Sequence, residues 1–184
     1  MRLSVVIPAY NEERHIVTTL KDVDRYLRRQ LYDSEVIVVD NASTDRTVQF
    51  VEQFKYEMPN LRLLRETRRG KGHAVASGML AATGDYRLFM DADNSTTISH
   101  LDAMMPHFDR GYGVVIGSIA VPGTHIIRGE PLWRVILGKL GNKWIQLFAV
   151  WGINDTQRGF KLFTAQAVED IFPRLTVFGW GFDI

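Results

Sequence analysis

Two hydrophobic periodicities alternate along the first half of the chain. Continuous apolar runs occur at Leu3–Ile7, Glu35–Asp40 and Tyr86–Asp91, each bounded by polar or turn-forming residues, with a weaker one at Leu61–Leu64. Runs that are apolar throughout predict strands covered on both faces, as in a parallel sheet. Between them the pattern turns helical. Asn11 is placed to cap a helix reaching about Arg29, with Ile16, Leu20, Val23 and Leu27 on one face. Ser43 or Thr44 is placed to cap a second, carrying Val48, Val51 and Phe54 at helical spacing. Gly72 to Ala82 reads as a third, rich in alanine. Strand–helix alternation of this kind predicts an α/β fold with right-handed crossovers. Ligands of such sheets lie beyond the carboxyl ends of the strands.

The second half is less regular. A helix is expected around Ile98–Phe108, a strand at Gly113–Gly117, and a polar loop turning into a strand over Asp155–Phe163. Between them, Trp133, Ile136, Leu137, Leu140, Trp144, Leu147, Phe148 and Trp151 fall on one helical stripe, roughly 120° wide. Core packing is one reading of Trp133–Trp151. Its three tryptophans, with Arg134 and Lys143 at the margins, equally fit a helix lying in a membrane interface. Gly138 and Gly141 weaken it as a helix by about 1 kcal/mol each.

Composition narrows the chemistry. The 184 residues suffice for one sizeable domain, and the net charge of +1 supplies no field to draw nucleic acid. With no cysteine, disulfides, thiolate nucleophiles and cysteine-bound zinc are excluded, as fits a reducing compartment. The first residues lack a signal-peptide pattern, and no window is apolar for the roughly 18 residues a membrane span requires. The histidines show no metal-ligand spacing, and neither a P-loop nor a G-x-S-x-G motif occurs.

Three polar sets follow the strands: "PAYNEE", "DNASTD" and "DADNST". A parallel sheet gathers them on one edge. Asp91 and Asp93, one residue apart, repel each other and require a counter-charge. Either they share a divalent cation, most of whose other positions go to water and phosphate oxygens, or they sit in a solvated turn capping the next helix. Lys71, between Gly70 and Gly72, either meets an anionic phosphate at a helix N-terminus or belongs to a solvated basic loop with Arg62, Arg65, Arg68 and Arg69. Asp40 either caps the following helix or accepts hydrogen bonds from a base or ribose.

"SVVIPAYNEE", "VIVVDNASTDRT", "RGKGHAVASGM", "MDADNS" and "DTQRGFKLF", in this order over nearly the whole chain, resemble the inverting glycosyltransferases of family 2. The likeness is greatest to the polyprenyl-phosphate type, the dolichyl-phosphate glucosyltransferases and mannose synthases. The resemblance implies a GT-A fold, a nucleotide-diphospho-sugar-binding α/β sandwich around a mostly parallel sheet. It implies one catalytic domain over 1–184, with a donor-binding half over 1–95 and an acceptor-side half over 96–184. Pro8, Ala9, Tyr10 and Glu12 would line the nucleotide pocket, with Asp40 reading the base and Lys71 near the donor. Asp91, Ala92 and Asp93 would form the D-x-D motif, its aspartates holding Mg²⁺ or Mn²⁺ on the donor diphosphate. Gln157, Arg158 and Lys161 would shape the acceptor side.

Two positions depart from the family pattern: Arg158, where the glucosyltransferases carry a small residue or cysteine, and Ser95, where the mannose synthases carry glutamine. The family's "WxFDxE" continues into a further helix, whereas this chain ends at "GWGFDI", so it is expected to be truncated. The implied reaction moves a hexose from UDP-glucose or GDP-mannose to a polyprenyl phosphate. Arg158 or Arg128 would hold that phosphate. A saccharide hydroxyl is the alternative acceptor; it would need a general base, for which Asp183 is the candidate. A non-catalytic nucleotide-sugar-binding remnant is the third reading. The implied location is cytoplasmic, peripheral on the cytoplasmic face of a membrane and in contact with it through Trp133–Trp151.

Overall fold

The computed structural model describes residues 1–118, 158–179 and 181–182. A six-stranded sheet runs in the order β3-β2-β1-β4-β6-β5. Its strands are β1 (Arg2–Ala9), β2 (Asp33–Asp40), β3 (Leu61–Arg65), β4 (Tyr86–Met90), β5 (Val114–Ile116) and β6 (Phe160–Thr164). The first four are mutually parallel, and β6 runs antiparallel between β4 and β5. Every apolar run in the first half forms a strand, the weak Leu61–Leu64 run included.

Strand alternation divides the core between two faces. Leu3, Val5, Ile7, Val36, Val38, Leu88 and Met90 meet α1 (Ile16–Leu27) and α2 (Thr47–Phe54) on one face. Val6, Ile37, Val39 and Phe89 meet α3 (Lys71–Ala81) on the other. The chain therefore reverses its winding between β1 and β4, and in open α/β sheets that switch point is where a crevice opens. Here the β1–β4 pairing ends at Val6↔Phe89, two residues before Pro8, which has no N–H to continue a ladder. The carboxyl ends of β1 and β4 are left to separate.

Three helix expectations are corrected. Helix α1 begins at Ile16, not at Asn11. Asn11 instead takes a left-handed φ of 55°, and the Glu12 carbonyl accepts the His15 and Ile16 N–H groups. Neither Ser43 nor Thr44 caps α2; Arg46 stands at its N-cap without a capping side chain, and Asp45 just before it accepts the Thr47 N–H at 2.9 Å. The Ile98–Phe108 helix is broken into a 3₁₀ turn, the short α4 (Leu101–Met104) and a second 3₁₀ stretch, Met105–Arg110. Pro106 removes an interior N–H there, and Gly111, with φ of 84°, ends the segment.

After β6, α5 (Ala165–Ile171) is capped by Thr164, whose hydroxyl accepts the Ala167 N–H. Trp133–Trp151, Arg128, Gln157 and Asp183 lie outside the described residues. Among the described residues no helix is long and apolar enough to cross a membrane.

Candidate functional site

The three strand-end loops meet at the carboxyl edge and are sewn together by hydrogen bonds between residues distant in sequence. Asn11 donates its N–H to Ser43 Oγ at 3.0 Å and accepts the Thr44 N–H on Oδ1 at 2.8 Å. The Glu12 N–H reaches Thr47 Oγ1 at 2.8 Å, and the Glu13 N–H reaches Asp45 Oδ2 at 3.0 Å. The polar residues expected to cap helices thus join the loop after β1 to the loop after β2. Pro8 and Ala9 are buried behind them, while Tyr10 is half exposed at the strand's end. The Glu12 carboxylate lies 2.9 Å from His15 Nδ1.

Asp40 is buried, and its Oδ1 accepts the Ser43 N–H at 3.1 Å. Beside it Asn41, a member of the same strand-end polar set, organises the basic loop. Its Nδ2 donates to the carbonyls of Glu66 and Arg68 at 3.0 and 2.8 Å, and its Oδ1 accepts the Gly70 N–H at 2.9 Å. Glu66 completes the scaffold: its carboxylate accepts from the Arg68 backbone and guanidinium and from the Ser77 hydroxyl. The Arg68 guanidinium, helped by Ser77, holds the Glu66 carboxyl at about 2 despite burial. A fixed carboxylate thus anchors a loop that composition alone presents as merely basic.

Asp91 lies one residue past β4 on the α3 face. Its Oδ1 is 2.7 Å from Lys71 Nζ, with the side chains 28% and 24% exposed respectively. That ammonium also stands 5.5 Å over the Phe89 ring. The counter-charge the two aspartates require is therefore supplied in part by Lys71. Asp93 is exposed, and its Oδ1 accepts the Ser95 N–H at 2.9 Å. Helix α1 holds the turn from below: Thr19 Oγ1 donates to the buried Ala92 carbonyl at 2.6 Å, and Asn94 Nδ2 to Asp22 at 2.9 Å. Asn94 has φ of 56°, which lets the chain double back after the two acids.

The glycines flanking Lys71 make room for a segment remote in sequence. The Gly72 N–H donates to the Phe178 carbonyl at 3.0 Å, and the Phe178 ring stacks on His73 with centroids 4.0 Å apart. A Cβ on Gly72 would come within 2.7 Å of Phe178 Cα and 2.8 Å of Phe182 Cβ. The segment after α5 thus crosses the start of α3, and the glycines permit that approach. Lys71 is left pointing at Asp91.

On the other side of the edge stands the start of β6. The Asp91 N–H donates to the Gly159 carbonyl at 2.9 Å, which brings Arg158 to the same edge. Lys161 is buried within the sheet, paired across from Phe89. Two carboxylates on one edge form a hard oxygen donor set suited to Mg²⁺ or Mn²⁺. Among the described residues no three His, Cys, Asp or Glu side chains gather into a closed metal cage. Such a set fits an ion whose remaining positions are filled by phosphate oxygens and water.

Comparison with known proteins agrees with this geometry. The glycosyl transferase family 2 model matches residues 4–172. The dolichyl-phosphate beta-glucosyltransferase of Dictyostelium discoideum is 34% identical over 99% of this chain and 60% of its own length. The Saccharomyces cerevisiae and Homo sapiens proteins of the same name are 35% and 32% identical, over 60% and 61% of their lengths. The chain thus spans about three-fifths of these relatives. Glucosyl-3-phosphoglycerate synthase from Mycobacterium tuberculosis, solved with Mn²⁺, UDP-glucose and phosphoglyceric acid, superposes with a TM-score of 0.70 at 22% identity, covering 99% of this chain and 62% of that one. The sheet order, the strand-end loops and the D-x-D turn find their explanation together: this chain is a member of glycosyl transferase family 2, with the GT-A fold.

Proposed function

We propose that this chain binds a nucleoside-diphosphate hexose at the carboxyl edge of its sheet and transfers the sugar, with inversion, to a polyprenyl phosphate of the dolichyl type. The observation that carries the proposal is the turn holding Asp91 and Asp93 beside Lys71, at the switch point between β1 and β4. The relatives' names favour a glucosyl donor and a dolichyl-phosphate acceptor. UDP-glucose is accordingly preferred to GDP-mannose.

In this reading Pro8, Ala9, Tyr10 and Glu12 flank the nucleotide, and Asp40 lies at the base end of the cleft. Asp91 and Asp93 hold Mg²⁺ or Mn²⁺, which when bound supplies Lewis-acid stabilisation of the departing diphosphate. Breaking the glycosidic bond places negative charge on the leaving group, and Lys71 is close enough to the aspartates to stabilise it as it develops. A lipid phosphate is already anionic near neutral pH and attacks without a strong base. Arg158, at the same edge, would hold that phosphate. Trp133–Trp151 would bring the cleft to a membrane surface, on the cytoplasmic side where nucleotide sugars are available.

Calorimetric titration of UDP-glucose and GDP-mannose with Mn²⁺, on the wild type and Asp93→Ala, tests the donor side. UDP-glucose binding is expected to require Mn²⁺ and to weaken at least ten-fold in the variant. Unchanged binding in Asp93→Ala would sink the metal assignment, and tighter GDP-mannose binding would reverse the donor. Transfer of labelled glucose to polyprenyl phosphate in detergent tests the acceptor; transfer to a saccharide hydroxyl instead would overturn it.

A further inference from the structure

Asp91 lies against Gly159, a residue with no side chain. Strand β6 runs antiparallel to β4 with Met90 opposite Phe160, and the Asp91 N–H bond to the Gly159 carbonyl carries the pairing one step further. Residues directly opposite in an antiparallel pair project to the same face, so Asp91 and position 159 compete for one space. The Asp91 carboxylate occupies that space: a Cβ built on Gly159 would overlap its carboxyl carbon and both oxygens. The carboxylate lies across the neighbouring strand, and this orientation brings Oδ1 to 2.7 Å from Lys71 Nζ.

Backbone conformation does not require glycine at 159, since its φ lies outside the left-handed region. The requirement is spatial and comes from Asp91. We infer that Gly159 is a positioning residue for the D-x-D motif: the absence of a Cβ leaves the seat in which the Asp91 carboxylate is held facing Lys71 and the donor cleft. Any side chain at 159 drives the carboxylate to another rotamer. A carboxylate on a short side chain can move at modest cost to the fold, so the damage falls on the site. Because β6 follows directly on the segment carrying Arg158, the seat also fixes the acceptor-side arginine's strand against the metal-side acid. The inference rests on the assignment of Asp91 as a metal-holding residue.

The test compares the wild type, Asp91→Ala, Gly159→Ala and the double variant, by calorimetry of Mn²⁺ in the presence of UDP-glucose and by thermal unfolding. Wild type against Asp91→Ala alone examines the metal assignment; equal Mn²⁺ affinity there would overturn that assignment and this inference with it. Given a loss in Asp91→Ala, Gly159→Ala is expected to lose at least ten-fold in Mn²⁺ affinity while keeping a cooperative transition. The double variant should bind no worse than Asp91→Ala, because the two changes remove one interaction. Should Gly159→Ala fail to fold, the double variant, which lacks the overlapping carboxylate, is expected to fold again. Gly159→Ala binding Mn²⁺ within two-fold of wild type, or a double variant that shows additive losses or stays unfolded, would overturn the inference.

Discussion

Glu35 and Asp91 are acids at opposite ends of the same sheet, both projecting to the α3 side, and the protein treats them in opposite ways. Glu35, at the amino end of β2, is 3% exposed. It accepts hydrogen bonds from Ser4 Oγ, from Thr83 N–H and Oγ1, each at 2.7 Å, and from Arg62 at 2.9 Å. Burial alone would raise its carboxyl, but these donors outweigh it and hold the group at about 2. Asp91, at the carboxyl end of β4, keeps 28% of its side chain exposed and faces an ammonium that is itself partly solvated. A carboxylate enclosed by fixed donors is architecture; a partly exposed one facing a flexible cation can exchange partners. Charge and residue type are alike, and enclosure makes the difference.

The contrast is sharpest when each acid is removed. Asp91→Ala is expected to lower sugar transfer about 10³-fold, the scale of charge stabilisation that a bound metal ion supplies, while leaving unfolding nearly unchanged. Glu35→Ala is expected to do the reverse. It strands the Ser4, Thr83 and Arg62 donors and should cost about 3 kcal/mol in urea unfolding. Mn²⁺-dependent UDP-glucose binding, measured where the variant is still folded, should stay within two-fold of wild type. Equal stability losses for the two variants would erase the distinction between the ends of the sheet.

The acids and loops of the Asp91 end were legible in the sequence, whereas the enclosure of Glu35 by Ser4, Thr83 and Arg62 was not. Strands buried on both faces are apolar throughout, so the α/β order and the gathering of three polar loops follow from local pattern. Asp91, Asp93 and Lys71 were also found locally, by a one-residue spacing and by flanking glycines. What local pattern misses is pairing across the chain. Ser43 and Thr44 have the chemistry of helix caps but bond to Asn11 instead, while Asp45 accepts the Thr47 N–H at the start of α2. Gly70 and Gly72 accommodate Phe178, which only the finished fold brings near. Asn41 reads locally only as one of a strand-end polar set, and Gly159 has no local signature because Asp91, on which it bears, is remote in sequence.

Acid should loosen both ends, through a depressed carboxyl at each. Glu35 and Glu66 are each held at about 2, well below an unfolded glutamate. A depressed carboxyl adds stability above its unfolded pKa, and that stability is lost as pH falls through the folded value. Unfolding free energy should therefore decline between about pH 4.5 and 2. Glu66→Gln should cost about 1.5 kcal/mol at neutral pH and flatten that decline, because it removes the charge that Arg68 stabilises. The same variant should loosen the basic loop, read as faster amide exchange at Gly70. An unchanged acid slope in Glu66→Gln would mean that the loop is held by Asn41 alone.

Lys71 carries the smallest expected effect and the most discriminating sign. Its ammonium lies 2.7 Å from an Asp91 oxygen that a cation would use, so a metal ion bound there would displace it. Partly exposed ion pairs are worth at most about 1 kcal/mol, so Lys71→Met should bind Mn²⁺ roughly two- to five-fold more tightly in the absence of donor. Methionine keeps an apolar stem against Phe89, so the change removes the charge with little loss of packing. With UDP-glucose present the sign should invert: the lysine would then face the diphosphate, and its loss should weaken donor binding about ten-fold. Titration of Mn²⁺ into the wild type and Lys71→Met, with and without UDP-glucose, reads this directly. A structural lysine, like the Arg62 partner of Glu35, would weaken both states or neither; only an exchangeable one can strengthen the first while weakening the second.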